Sequence, residues 1–313
     1  MFINPGRIGR PIRALILAVV PALLGGCLSG EDTPELVIHV DKALSGPLAQ
    51  IVENYREAHD DDLPYEIRLV VGDSAELRAR ITGEELPQAA PSDEPLPPPG
   101  ADADAATEKD AKESDAESAE DAPRPERHPD LFLPLDAAEI GKLGALAGRA
   151  KPVAELIPTV AVYDKFEKGI KTFADLTAPN VRLAIGHPDK LPIGATTQAL
   201  IARLDDPAAF RRHVIYETDT DDDLVHLLKA GWADAAIIWA HQAKPLDAAK
   251  YQVISIPDGL AEPRPISIVE LTDSPMAQAA AEFADYLAID ANREIFAGRG
   301  FGEPKLVNNE SPQ

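Results

Sequence analysis

The chain has 313 residues, with 53 acidic against 30 basic side chains and a formal net charge of −23. A balance so negative excludes nucleic acid as a partner, because a phosphate backbone needs a basic face. It leaves room for a small anion held by neutral backbone N–H groups at a helix start. A single cysteine excludes an internal disulfide.

Arg7, Arg10 and Arg13 precede an apolar run from Ala14 to Leu24, the charged and apolar regions of a secretory signal. The run is too short for a comfortable transmembrane span. It ends in Leu24-Gly25-Gly26-Cys27, which is similar to a bacterial lipobox, where small residues admit the signal peptidase and the thiol takes the lipid. A leftover buried thiol is the weaker alternative for Cys27. Residues 1–26 are thus expected to be a lipoprotein signal peptide and residues 27–34 a lipid-anchored linker. Lipid on Cys27 would hold the protein to a bacterial membrane, in the periplasm or at the cell surface. Roughly 285 residues remain, enough for two modest lobes.

Glu35 to Val40 is a buried-type strand. Leu48, Ile51, Val52 and Tyr55 then recur at helical spacing, with Ser45-Gly46-Pro47 as the expected helix start. Tyr65 to Val71 is a second strand, and "GDSAELRARI" turns directly into a helix. From Leu86 to His128 apolar periodicity disappears; Asp93 to Asp121 alone holds 11 acidic residues against Lys109 and Lys112. This composition predicts a solvated, disordered insertion, a tolerated loop in preference to a binding tail. Asp130 to Leu135 holds a short strand, Ala137 to Ala147 a helix, and "LIPTVAVYD" a strand into a second lobe.

There the alternation repeats. "TFADLT" predicts a short helix, "VRLAIG" a strand, Thr196 to Leu204 a helix and "RRHVIYET" a strand. "DDDLVHLLKAG" predicts a helix whose leading aspartates suit the helix dipole, with Gly231 at its stop. "ADAAIIWA" is a buried strand, "YQVISIP" and "RPISIVELT" lead back to the first lobe, and two helices close the chain. The expected lobes are 35–158 with 264–313, carrying the insertion 86–128, and 159–263. Continuous apolar strands alternating with helices predict an α/β fold of mainly parallel sheets with helices on both faces and ligands at strand C-termini.

Several stretches share one design, a strand, a tight polar turn and a helix start: "HVDKALSG", "VVGDSAEL" and "AIGHPDKLPIGATT", with "ETDTDDDL" and "IIWAHQA" as looser cases. Helix N-termini present unpaired N–H groups and a positive dipole end. Converging on one cleft, they would form a pocket for a tetrahedral oxyanion. In this order the stretches resemble the periplasmic molybdate-binding protein family of ABC importers, a type II solute-binding class. The resemblance runs from Glu35 to Phe301 apart from the acidic insertion. It is strongest in "GDSAELRARI", "PDLFLPLD", "VRLAIGHPDKLPIGATTQALIARL", "KAGWADAAIIWAHQA" and "ANREIFAGRGF".

The resemblance implies a two-lobed type II fold and a small oxyanion ligand such as molybdate, tungstate or sulfate. It also implies a membrane permease as partner, a monomer, no cofactor and no catalysis. It places Ser74 on the family's anion-binding serine and Ile193 on a backbone N–H donor beside a retained Gly194. Trp239 stands where the family has a tyrosine and Asp221 where it offers a backbone N–H. Ala43 replaces the first binding serine, with Ser45 the candidate to compensate. Asp41, Asp73 and Asp221 would bring carboxylates toward the anion, against which Lys42 and Lys190 are the available counter-charges.

Other readings attach to the same residues. Ser74 is also a helix cap, Trp239 a core aromatic, and His187 polar surface or a cleft residue. Asp219 to Asp223 with His226 do not have calcium-loop spacing. Gly72-Asp73-Ser74 and the Asp223/His226 pair are shared with a family of serine esterases, but the serine turn follows the second strand rather than the first, which makes a hydrolase the remote alternative. A fold retained for a different solute, or for an interaction role, is the nearer one.

Overall fold

The structure, a computed structural model, describes residues 33–59, 62–85, 128–163 and 169–304. The expected signal peptide, Cys27 and the acidic insertion up to residue 127 lie outside the described residues. Among the described residues no helix is long and apolar enough to cross a membrane.

The chain starts with β1 (Glu35–Asp41), α1 (Lys42–Ala58), β2 (Glu66–Gly72) and α2 (Ser74–Thr82), then β3 (Leu131–Leu133), α3 (Ala137–Gly141) and β4 (Ala147–Leu156). Next come β5 (Pro158–Tyr163), β6 (Leu183–Gly186), α4 (Pro192–Ala202), α5 (Pro207–Arg211), β7 (Val214–Thr218) and α6 (Asp221–Lys229). Then follow β8 (Ala235–Trp239), α7 (Ala240–Ala243), β9 (Tyr251–Ser255), β10 (Arg264–Leu271), α8 (Ala277–Leu287) and α9 (Asp290–Gly298). They build two five-stranded sheets, ordered β2-β1-β3-β10-β4 and β7-β6-β8-β5-β9. Among the described residues the chain passes between the sheets twice, at Ile157 and in the segment 256–263.

Both sheets are mixed, which corrects the expectation of mainly parallel ones. β1 pairs parallel with β2 and β3, and β6 with β7 and β8. β10 and β5, the strands beside the two crossings, pair antiparallel with both of their neighbours. The apolar runs are buried as expected: Leu36, Ile38 and Val40 of β1 and the whole of β8 are inaccessible or nearly so.

Several elements depart from the sequence expectation. Helix α1 starts at Lys42, not Ser45, because the Asp41 side chain caps it by accepting from the Ala43 N–H at 3.0 Å. Pro47 then lies inside the helix, close enough to its start that one missing N–H is tolerated. The helix expected over 137–147 is a short α3, a 3-10 turn at Gly144–Leu146 and the start of β4. Helix α4 starts four residues early, at Pro192, with proline in the first turn where its lost donor costs nothing.

Gly194 illustrates what the Gly186-to-Gly194 turn requires. A β-carbon there would sit 2.3 Å from the His187 carbonyl oxygen and 2.5 Å from that of Gly186. The glycine admits the start of α4 against its own strand exit, a backbone-to-backbone approach. Gly194→Ala is therefore expected to cost about 1–3 kcal/mol by overpacking. Gly46→Ala, in α1 with nothing within 4 Å, should gain up to about 1 kcal/mol. Urea midpoints of the two variants check the opposite signs.

Candidate functional site: a cleft between the sheets

The C-terminal ends of β1, β2, β3, β6, β7 and β8 lead into a cleft of about 830 Å³. Its size falls in the ordinary range of small-molecule sites, about 300–1,000 Å³. One side carries Asp41 to Ala43, Asp73 to Ala75 and Asp136; the other carries Lys190 to Pro192, Asp219 to Asp222, Trp239, His241 and Gln242. The first turns of α1, α2, α4 and α6 all border it.

The Asp41 carboxylate organises the first side. It is 5% exposed. One oxygen accepts from Ala43 N–H, and the other accepts from the Ser74 N–H at 3.1 Å and from the Ser74 hydroxyl. Ser74 Oγ in turn accepts from the Leu135 N–H at 2.9 Å. A tethered anion thus occupies one N–H at the start of each of α1 and α2, those of Ala43 and Ser74, and the serine hydroxyl with them. The Ser74 hydroxyl is bonded to a carboxylate and an amide rather than to an imidazole, while Asp223 and His226 lie along α6.

The opposite side is less satisfied. Asp221 Oδ1, Trp239 Nε1 and His241 Nδ1 are buried without a hydrogen-bond partner, three of six such side-chain atoms among the described residues. Trp239 is 0% exposed; its backbone N–H donates to Gln242 Oε1 at 3.0 Å, which starts α7. His241 stacks on Phe301 with ring centroids 4.6 Å apart. Burial pushes His241 down to about 4, so it is neutral at pH 7. Burial, reinforced by the Asp222 and Asp41 carboxylates and opposed by Lys42, pushes Asp221 up to about 6.

Of the residues singled out in the sequence, Ala43, Ser74, Asp221 and Trp239 come together at the cleft, as do Asp41, Asp73, Lys42 and Lys190. Ser45 does not: its hydroxyl donates back to the Lys42 carbonyl at 2.8 Å. Ile193 and Gly194 sit behind the lining residues Leu191 and Pro192, the Ile193 side chain fully in the core. His187 also stays out, its Nδ1 accepting from the Asp189 N–H. Sequence reasoning missed Asp136, Glu139, His241 and Gln242. His241 and Gln242 were within reach, in the strand-to-helix stretch after Trp239.

A two-sheet α/β chain with two crossings and helix N-termini around an intervening cleft has the architecture of type II periplasmic binding proteins. The model of the bacterial extracellular solute-binding protein family matches residues 36–302, and the chain belongs to that family. The molybdate-binding protein ModA of Mycobacterium tuberculosis is 26% identical over 180 residues, 56% of this chain and 66% of that relative; the match therefore falls just short of two thirds of its length. A substrate-binding domain of a proposed molybdenum ABC transporter from Clostridium difficile shares the fold (TM-score 0.63, 16% identity, 87% of this chain and 99% of that one). So does a periplasmic thiamin-binding protein (TM-score 0.57, 12% identity, 88% and 85%). At these identities the structures show the fold alone.

Two outcomes are expected from these contacts. Asp41→Ala removes the α1 cap and leaves buried Ser74 groups unpaired, so it should cost about 2–4 kcal/mol in a denaturant melt. Asp221 has a folded pKa of about 6, above its ordinary 3.8, so its charge opposes folding above pH 6 and not below about pH 4. Asp221→Asn should accordingly stabilise the ligand-free protein at pH 7.5 by about 1–3 kcal/mol. That gain should vanish by pH 4; thermal melts of both proteins across this range measure it.

Proposed function

We propose that this chain is the solute receptor of an ABC importer: it captures a small solute in the cleft, closes on it and presents the closed form to a membrane permease. The observation that carries the reading is the cleft itself, a space of ligand size whose lining includes Asp221, Trp239 and His241, each of which holds a buried, unpartnered polar atom. Family membership and the two crossings, suited to hinge closure, support it. Lys42 bridges toward closure, touching Asp73 at 3.1 Å on one side and Asp222 at 3.9 Å on the other. Arg264 does the same, binding the Asp136 carboxylate at 2.8 Å and the Pro192 carbonyl at 3.3 Å. Binding makes and breaks no covalent bond. Anchoring through lipid on Cys27, outside the cytoplasmic membrane, and action as a monomer complete the proposal.

A tetrahedral oxyanion, molybdate first, is a second reading for the solute. It is favoured by the molybdate-binding name of the mycobacterial relatives and by the four helix starts bordering one cleft. The thiamin-binding neighbour has the same fold, so fold does not choose between solutes.

The receptor reading is tested by thermal shift and small-angle scattering over a panel including molybdate, sulfate and thiamin. A specific solute at about 100 times its Kd should add about 2.7 kcal/mol, or roughly 5–8 °C, and reduce the radius of gyration. A full transport-solute panel that yields neither response would overturn it.

A further inference from the structure

We propose that the cleft selects a small organic cation, seating a protonated nitrogen against Asp221 and an acceptor atom of the same solute at Trp239 Nε1. The proposal rests on the receptor reading and names its substrate class.

The charges of the cleft carry it. Each lining carboxylate except Asp221 has a partner. Lys42 pairs with Asp73 and Asp222, Lys190 with Asp219, and Arg264 with Asp136. Arg78 and Lys142 hold Glu139. Asp41 has two amide donors and the Ser74 hydroxyl. These pairings consume both lysines that line the cleft, so an arriving anion meets no uncommitted positive side chain there. It also finds the N–H groups of Ala43 and Ser74 already bound to Asp41. Asp221 Oδ1 is left without a hydrogen-bond donor beside two other carboxylates, with the already paired Lys42 opposing them.

Trp239 supplies a separate requirement. Its Nε1 is a donor only, buried and unpartnered on a residue that lines the cleft, and an occupant whose acceptor reaches it as the cleft closes would satisfy it. The carboxylates do not converge on a point: among the described residues no group of three or more His, Cys, Asp or Glu side chains is placed to hold a metal ion. The complement is an ammonium or guanidinium on an organic frame. The cleft of about 830 Å³ suits such a frame, since each water occupies about 30 Å³ and a five-atom oxyanion displaces only a few.

The test uses the full-length protein with Trp232→Phe, which leaves Trp239 as its sole tryptophan reporter. Its fluorescence is titrated with ethanolamine and L-arginine, with ethylene glycol as the uncharged control, and with sodium molybdate and sulfate. A saturable response to ethanolamine or L-arginine, weakened at least tenfold by Asp221→Asn and absent with glycol and both oxyanions, is expected. Micromolar saturation by molybdate would overturn the proposal while leaving the receptor reading intact. An amine response that survives Asp221→Asn, or no response to either amine, would also overturn it. Scattering on the same samples separates the two readings, because compaction by any solute sustains the receptor whatever its charge preference.

Discussion

The corner at Asp41 is the constraint on which the rest of the cleft depends. Three elements end or begin there, β1 stopping and α1 and α2 starting, and the segment after β3 passes at Leu135. Each helix start leaves backbone donors without intrahelical partners, and a buried corner cannot leave them to water. One carboxylate and one hydroxyl satisfy the Ala43, Ser74 and Leu135 amides together. Asp41 remains tolerable in the interior because the two helix starts supply positive partial charge and Ser74 supplies a further donor. The arrangement fixes the spacing of α1 against α2, and through them the whole first side of the cleft.

That solution has a consequence for recognition. A helix start is a general anion site only while its donors are free. Here the protein has supplied its own anion, so the architecture expected from the resemblance is present but the Ala43 and Ser74 N–H groups and the Ser74 hydroxyl are already bound. On the other side Asp221 adds a charge. At about 5 Å and an effective dielectric of about 20, each pair of like unit charges costs about 3 kcal/mol, enough for a dianion to be strongly disfavoured beside it. The same number read with opposite sign favours a cation.

The fold was legible where apolar pattern and end signals agree. β1 and β8 are continuous apolar runs, and α6 begins with three aspartates after a capping threonine. β4 was not legible: its sequence mixes Arg149, Lys151 and Pro152 with small residues because it is the end strand of its sheet, paired with β10 and, at Glu155 alone, bridged to Gly302. The early start of α1 was hidden by Ser45-Gly46-Pro47, a plausible cap overridden by Asp41. At the site, identities were readable and pairings were not. Nothing local in the sequence indicates that Asp41 and Ser74, 33 positions apart, share a hydrogen bond. The glycine at 194 carried a true signal of close approach, but its partner proved to be the chain's own backbone.

Asp221, whose Oδ1 has no hydrogen-bond donor, also bears on how closure would be coupled to occupancy. Bringing the two sides together removes water from a carboxylate already half desolvated, and an unpaired charge resists that removal. In the empty protein Asp221 therefore acts against the closed state, assisted by repulsion from Asp41 across the cleft. A cationic solute reverses the sign, because its charge is worth most in the dry, closed geometry. It binds the closed state better than the open one, which is the differential affinity that any ligand-driven shift requires. On the proposed reading, the residue that makes the empty cleft less stable would also be the one that lets a receptor distinguish loaded from unloaded.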